Sequence, residues 1–165
     1  MKIKYKPLNL GQQISSLLEI ERDCYADPWD RETFHHCLKQ KNTTGMTVEI
    51  DGKLVGYIIY QKNKSKYTIV NLAVVQKHQR QGLATKLLKS LKLSLRNDDV
   101  IEMIVSDICI AAHMFLKSQG FQAKKVEKKY FKVGNSYEDG YLFNYKCQES
   151  TLTADEFEEM ICGKK

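Results

Sequence analysis

The stretch of residues 72–95 joins an apolar strand to an amphipathic helix through a short polar turn. The strand is the end of residues 67–75, which are rich in β-branched side chains. The apolar face of the helix is formed by Leu83, Leu87, Leu88, Leu91 and Leu95. A helix that begins directly after a strand presents unpaired backbone N–H groups at its positive dipole end. The turn around Gly82 therefore predicts a phosphate-binding site.

Two small residues support this interpretation of the turn. Gly82 lets the backbone approach a ligand closely, and Ala84 leaves the first helical turn open. The turn has neither the lysine of the Walker pattern nor the spacing of a dinucleotide-binding glycine motif. An ordinary strand–turn–helix connection shares these features, so the turn alone does not identify the ligand.

The composition is typical of a globular chain with one domain. Its 165 residues are 42% hydrophobic and 28% charged, which suits one substantial core. The chain has five cysteines, no Cys-x-x-Cys pair and no secretory or long apolar segment, so we expect reduced thiols and a cytoplasmic or nuclear protein without a membrane anchor. The adjacent His35, His36 and Cys37 would point apart on a helix, so we predict no metal site.

The charge is unevenly distributed. The net charge is +6, but residues 149–165 contain five acids and only two lysines. We predict a domain over residues 1–148 and an acidic tail over 149–165, which could form a short docked helix, contact another subunit or fray. A basic domain suits a polyanionic ligand, and no RNA-binding motif is present, so no specific nucleic acid is expected.

The remaining patterns predict alternating strands and helices. Strands are predicted at residues 2–6, 46–50, 54–60, 67–75, 100–106, 121–131 and 137–145, and helices at 10–25, 30–39, 83–95 and 108–119. Asp30 and Asp107 are the predicted N-caps of the second and fourth helices. Asp51 and Gly52 predict a type I′ hairpin turn. This order indicates a mixed α/β fold.

The turn sequence Gln79-Arg80-Gln81-Gly82-Leu83-Ala84 fits the pattern (Gln/Arg)-x-x-Gly-x-(Gly/Ala), and a Leu-Ala-Val strand precedes it. This pattern resembles that of the GNAT acetyltransferase superfamily, and the resemblance extends over about residues 5–145. It implies a mixed, mostly antiparallel sheet of about six or seven strands flanked by about four helices. It also implies acetyl-CoA as co-substrate, with no metal.

The resemblance further implies where acetyl-CoA lies. Its pyrophosphate would lie on the backbone amides of the turn, and its pantetheine arm would pair with the preceding strand like an added strand. The implied cofactor-binding residues are Leu72, Ala73, Val74, Gln79, Arg80, Gln81, Gly82, Leu83, Ala84, Thr85 and Phe115.

Two local patterns resemble protein N-terminal acetyltransferases of the RimI and NatA catalytic-subunit types. Pro28-Trp29 followed by Phe34 resembles the loop that lines the peptide entrance in RimI proteins. Tyr130 and the stretch 138–141 resemble the hairpin that forms the opposite wall in NatA-type enzymes. The resemblance implies a peptide or protein N-terminus as acceptor, bound by Pro28, Trp29 and Tyr130, with a ribosome or an auxiliary subunit as a further partner to consider.

The catalytic positions depart from the family pattern. RimI-type enzymes carry a glutamate on the strand that corresponds to Val100–Ser106 and a tyrosine on the following helix. Counting back from the end of that helix puts Met103 or Ile104 at the glutamate position. It puts Phe115 or Leu116 at the tyrosine position, and neither side chain has a proton to donate.

Glu102 is the only acid in this strand, and we predict that it acts as the base, directly or through water. Tyr130 or His113 would assist, and Tyr130 is the second catalytic candidate. Alternatively, positioning and bound water suffice for turnover, or the chain binds acetyl-CoA without turning it over. The amine that accepts the acetyl group could also be a lysine side chain or a small amine, since the same chemistry acetylates all three. An α-amine with a pKa near ~8 needs a weaker base than a lysine with a pKa near ~10.4.

Overall fold

The computed structural model describes residues 1–147, so the helix predicted within residues 149–165 lies outside the described residues. Seven strands and four helices are formed within the described part. They are β1 (Ile3–Pro7), α1 (Leu10–Cys24), α2 (Arg31–Leu38), β2 (Thr43–Ile50), β3 (Lys53–Asn63), β4 (Lys66–Val74), α3 (Leu83–Leu93), β5 (Val100–Ser106), α4 (Ile110–Ser118), β6 (Gln122–Val133) and β7 (Ser136–Lys146).

Local chemistry sets most of the boundaries that the sequence predicts. The Asp30 carboxylate accepts the backbone N–H of Thr33 at 2.8 Å, which confirms Asp30 as the N-cap of α2. Asp51 and Gly52 have φ angles of 50° and 84°, as a type I′ turn between β2 and β3 requires.

The prediction that Asp107 caps the fourth helix is wrong. The backbone N–H of Asp107 donates to the carbonyl of Asp139 at 2.9 Å, which keeps this residue bonded to the sheet. The chain then forms a turn in which the N–H of Cys109 donates to Ser106, and α4 begins at Ile110 with Cys109 at its N-cap position. The helix therefore starts two residues later than its apolar periodicity indicated.

The seven strands form one sheet in the order β1-β2-β3-β4-β5-β7-β6. Only β4 and β5 are parallel, and every other neighbouring pair is antiparallel. This is the predicted mixed α/β class, with a mostly antiparallel sheet of seven strands and four flanking helices within residues 1–147. No helix in the same part of the chain is both long and apolar enough to cross a membrane.

The helices cover the two faces of the sheet. On the α1 face, α1 and α2 bury a core that includes Leu17, Ile20, Phe34, Tyr57, Ile59 and Ala73. On the α3 face, four leucines of α3 and Leu116 of α4 bury a core that includes Ile58, Ile69, Ile101, Val105 and Phe143. Because side chains alternate along a strand, neighbouring residues such as Tyr57 and Ile58 belong to different cores.

The parallel strands β4 and β5 part after three paired positions. Their pairing ends at Thr68 and Glu102, although β5 stays paired with β7 as far as Ser106. The register of β3 with β4 skips Val70, which is a β-bulge, and the bulge bends β4 away from β5. The opening beyond Thr68 and Glu102 is called the strand gap below.

Candidate active site

One side of the strand gap is the free edge of β4. The carbonyl of Leu72 accepts the hydroxyl of Tyr25 at 2.7 Å. The carbonyl of Val74 accepts the side-chain amide of Gln79 at 2.9 Å, and the Cys24 thiol lies 3.3 Å from the same oxygen. These bonds come from side chains and not from a strand, so the backbone of Leu72 and Val74 faces the gap. Because a carbonyl has two lone pairs, the carbonyl of Leu72 can accept a second donor from an extended ligand.

Ala73 takes a different position from its two neighbours. It is paired with Tyr57 of β3, and its side chain is 5% exposed in the core of the α1 face. Of the three β4 residues predicted to contact the cofactor, Leu72 and Val74 thus offer backbone groups to the gap, whereas Ala73 packs beneath the α1 face.

The turn after β4 presents backbone N–H groups to solvent. Arg80 and Gly82 have φ angles of 63° and 78°, and α3 begins directly after Gly82 with no side chain capping it. The N–H groups of Leu83, Ala84 and Thr85 therefore have no acceptor within the helix. A Cβ atom built on Gly82 would find nothing within 4 Å, so the space in front of the helix is open. This geometry fits a phosphate group.

The charges around the turn favour the same class of ligand. Lys77, Arg80 and Lys86 are exposed around the start of α3, and their charges add to the positive end of the helix dipole. Phe115 is half-buried on α4 and packs against the core of the α3 face. The residues predicted to bind the cofactor thus lie around the outer end of the strand gap and on the helices of the α3 face.

Glu102 lies at the closed end of the strand gap. It is the last residue of β5 that pairs with β4, and its side chain lies on the α1 face because its neighbour Ile101 is buried in the opposite core. Its carboxylate lies 2.6 Å from Nζ of Lys66, and its side chain is 19% exposed. Glu102 is therefore a partly buried carboxylate that is ion-paired with Lys66.

Tyr130 lies on the same face of the sheet. A Cβ atom on Gly140 would lie 3.0 Å from Cβ of Tyr130 and 2.7 Å from Cγ2 of Ile104, so these three residues meet. Ile104 is two positions beyond Glu102, which corresponds to about 7 Å along the strand. The structure thus brings Glu102 and Tyr130 to one face, with Tyr130 nearer the open end.

His113 lies on the other side of the sheet. Its ring packs against Tyr141 and Phe143 with centroid separations of 5.1 Å, and its Nε2 lies 2.9 Å from the carbonyl oxygen of Ser106. Phe143 belongs to the core of the α3 face. The sheet therefore separates His113 from Glu102, and the structure does not bring these two predicted partners together.

A buried carboxylate fixes the loop between α1 and α2. Glu21 is 1% exposed and accepts the side-chain amide of Asn71 at 2.8 Å and the backbone N–H of Trp29 at 2.7 Å. The hydroxyl of Tyr57 also donates to Glu21. Burial of the hydroxyl, followed by the nearby charge of Glu21, raises the pKa of Tyr57 well above its usual range. Trp29 in turn packs edge-on against Phe34. The loop that carries Pro28 and Trp29 is therefore tied to β3 and β4.

Sequence reasoning missed Glu21 and Tyr25 as site residues. Glu21 falls at helical spacing with Leu17 and Ile20 on the buried face of α1, and a carboxylate at such a position must be hydrogen-bonded. Tyr25 directly follows the last residue of α1, and its hydroxyl reaches the edge of β4. Desolvation of the hydroxyl, together with the nearby Glu21, raises the pKa of Tyr25 above its usual range, so it holds its proton.

The sequence matches a known family and named relatives. Residues 14–121 match the model of the acetyltransferase (GNAT) family. An uncharacterised N-acetyltransferase of Methanocaldococcus jannaschii is 27% identical over 127 residues, which are 75% of this chain and 81% of the relative. The [ribosomal protein bS18]-alanine N-acetyltransferase of Escherichia coli K12 is 27% identical over 125 residues, which are 74% of this chain and 84% of that protein.

Solved structures share the fold. The crystal structure of the ribosomal-protein-S18-alanine N-acetyltransferase from Escherichia coli superposes with a TM-score of 0.80 at 23% identity, covering 92% of this chain and 99% of that one. Arabidopsis thaliana NAA60 in complex with acetyl-CoA gives a TM-score of 0.74 at 18% identity, covering 88% of this chain and 98% of that one. The fold predicted from the sequence is confirmed.

Proposed function

The chain belongs to the GNAT family and is an acetyl-CoA-dependent N-acetyltransferase, and we propose that its acceptor is the α-amine of a protein N-terminus. The observation that carries the proposal is the shape of the strand gap. Its outer end lies at the Gly82 turn, and on the α1 face it is flanked by the loop of Trp29 and by Tyr130. A peptide end could enter between these two walls and meet a thioester held in the gap.

In this proposal the pyrophosphate of acetyl-CoA binds the amides of Leu83, Ala84 and Thr85. Its pantetheine arm pairs with the gap-facing backbone of Leu72 and Val74. The thioester then points toward the closed end of the gap, where the polar side chains of the α1 face reach it. The other predicted cofactor residues, Gln79 to Gly82 and Phe115, shape the turn and the α3 face of the gap.

The chemistry needs a neutral amine, a donor for the developing charge and a proton acceptor. The amine nitrogen bonds to the acetyl carbon, the C–S bond breaks and CoA leaves as a thiolate. Glu102 accepts the amine proton through water, because its carboxylate lies on the acceptor face at the closed end of the gap. Tyr25 holds its proton at the β4 edge, where the hydroxyl donates to the Leu72 carbonyl. The O–H turns from that carbonyl to donate its proton, or a hydrogen bond, to the sulfur, and a tyrosinate so formed recovers a proton from water.

The space between the loop of Pro28 and Trp29 and the side chain of Tyr130 is called the acceptor channel, and its walls would hold the peptide. Pro28 and Trp29 are half-buried in a loop that Glu21 fixes, and Tyr130 is 53% exposed opposite them. An exposed aromatic ring with a hydroxyl suits contact with a peptide backbone. In support, the Escherichia coli relative is named for acetylating an alanine of a ribosomal protein.

A peptide-library acetylation assay tests the acceptor class. The protein is incubated with labelled acetyl-CoA and three panels: peptides with free N-termini, N-blocked peptides containing lysine, and polyamines. The proposal expects label on peptides with free N-termini and on no member of the other panels. Label on N-blocked peptides or polyamines would overturn the acceptor assignment, and acetyl-CoA binding in a calorimeter without turnover on any panel would identify a non-catalytic binding module.

A further inference from the structure

The strands β6 and β7 pair irregularly at the wall of the acceptor channel. Glu127 lies opposite Gly140 and Phe131 lies opposite Glu138, so three residues of β6 face the single residue Asp139 of β7. This is a special β-bulge with two extra residues in β6. Within it, Lys129 has a φ angle of 53°, a left-handed conformation that a non-glycine residue rarely adopts.

The Asp139 carboxylate holds the bulge closed. One oxygen accepts the backbone N–H of Lys129 at 2.8 Å, and the other accepts Nζ of Lys128 at 2.8 Å. These bonds hold the pKa of Asp139 below its usual range, with the Lys128 bond as the largest cause. The backbone carbonyl of Asp139 also accepts the N–H of Asp107, which ties the bulge to the end of β5.

The bulge changes the direction of Tyr130. Successive side chains of a regular strand point to opposite faces. Here the rings of Tyr130 and Phe131 lie 4.9 Å apart in an edge-on contact, so both lie on one side. Tyr130 comes to lie over Gly140, where any larger residue would collide with Tyr130 and Ile104. Without the extra residues, Tyr130 would point away from Phe131 and from the acceptor channel.

We infer that Asp139 is a positioning residue for the acceptor site, because it closes the bulge that turns Tyr130 toward the strand gap. This inference rests on the proposed function. Asp139 itself does not contact the acceptor, because each of its carboxylate oxygens already accepts a hydrogen bond from the hairpin. Its effect on the reaction passes through the Tyr130 side chain, and through the Lys129 N–H bond more than through the exposed ion pair with Lys128.

Three substitutions separate the two bonds. Asp139→Ala removes both, Asp139→Asn keeps an oxygen for the Lys129 N–H, and Lys128→Met removes only the ion pair. Asp139→Ala should raise the KM for peptide about tenfold while the KM for acetyl-CoA stays unchanged. Asp139→Asn and Lys128→Met should raise it less than about threefold. Asp98→Ala is the matched control, because it breaks an exposed Asp–Lys pair of 2.9 Å with Lys146 at the other end of β7.

A double-mutant cycle tests whether Asp139 acts through Tyr130. In a Tyr130→Ala background, Asp139→Ala should cause no further rise in the peptide KM. Any of three results would overturn the inference. They are an unchanged peptide KM in Asp139→Ala, an equal rise of the peptide KM in the wild-type and Tyr130→Ala backgrounds, and a rise in Asp139→Asn as large as that in Asp139→Ala.

The Tyr130 ring resonances of a ring-labelled sample provide a readout that needs no turnover. They should shift in Asp139→Ala and remain in place in Asp98→Ala. If the wild-type protein acetylates no peptide, the proposed function fails, and these resonances still decide the positioning role. Unshifted resonances in Asp139→Ala would overturn it.

Discussion

The two halves of the proposed active site, one for the cofactor and one for the acceptor, are built in different ways. The cofactor half consists mainly of residues 72–85, which are contiguous in the chain and form an edge, a turn and a helix start. The acceptor half is assembled from distant segments: Tyr25 bonds to Leu72 at a separation of 47 residues, and Asn71 bonds to Glu21 at a separation of 50. The first half relies on backbone groups, and the second on side chains that the fold must bring together.

This difference has a consequence for function. A backbone site at a helix start depends on local conformation, so it tolerates many side chains provided that Gly82 can keep a positive φ. A side-chain site depends on each hydrogen bond that orients it. The two halves should therefore respond differently to substitution, and the predictions below are ordered by the size of that response.

The largest expected effect is on the rate and lies in the acceptor half. Glu102→Gln should lower kcat by about 10²–10⁴-fold if Glu102 accepts the amine proton, with little change in acetyl-CoA affinity. The measurement is steady-state kinetics with a saturating peptide. Lys66→Met is the control, because it breaks the 2.6 Å ion pair but leaves the carboxylate in place. An unchanged kcat in Glu102→Gln would leave positioning and water as the source of turnover.

The next effect is on cofactor binding alone. Gly82→Val forces a β-branched residue into a φ angle of 78° and places methyl groups in front of the helix start, so the Kd for acetyl-CoA should rise about 100-fold. Calorimetry measures it. Gly52→Val is the matched control, since Gly52 also has a positive φ of 84° and nothing within 4 Å of an added Cβ. If both variants lose the same stability but only Gly82→Val loses affinity for acetyl-CoA, the loss of affinity is not due to backbone strain alone. If both variants bind acetyl-CoA equally well, the cofactor site is contradicted.

A smaller effect concerns the support of the acceptor wall. Glu21→Gln turns an amide toward the backbone N–H of Trp29, so a buried donor loses its acceptor. The free energy of unfolding should fall by about 2 kcal/mol, and the Tm by about 4–8 °C. Glu19→Gln, on the exposed side of the same helix, should change neither. Thermal unfolding followed by circular dichroism checks this, and an unchanged Tm in Glu21→Gln would contradict the role of the buried network.

The smallest effect is at Tyr25. Removal of its hydroxyl by Tyr25→Phe should lower kcat about tenfold, because one donor near the sulfur is lost while the ring remains. Single-turnover kinetics measure the step directly. Tyr137→Phe, an exposed tyrosine on β7, serves as the control. If both variants retain full activity, the thiolate takes its proton from water.

The same contrast explains what could be predicted from the sequence. The strand, the turn and the start of α3 at Leu83 were predicted for the cofactor half, because the pattern is local and Gly82 marks the turn. The helix ends at Leu93, two residues before its predicted end. Each strand and helix was predicted to within three residues at either end, and the largest differences are at the start of β2 and the end of β3. At the start of α4, a tertiary bond from Asp107 to Asp139 overrides the capping preference of an aspartate.

The acceptor half could not be predicted in the same way. The packing of α1 on the sheet brings the Glu21 carboxylate to Asn71 and the Tyr25 hydroxyl to Leu72. The periodicity of the sequence does not specify this packing. The bulge at Lys129 depends on the register of β6 with β7, and a register shift leaves no local mark in the sequence. The catalytic roles of Glu102 and Tyr130 stay predictions.

An NMR titration with acetyl-CoA tests the central claim most directly. In a ¹⁵N-labelled sample, the largest shifts should fall on the amides of residues 80–85 and on Leu72 and Val74 at the edge of the strand gap. Small shifts there, with large ones on the exposed lysines of β6 instead, would show that acetyl-CoA binds elsewhere and would contradict the account.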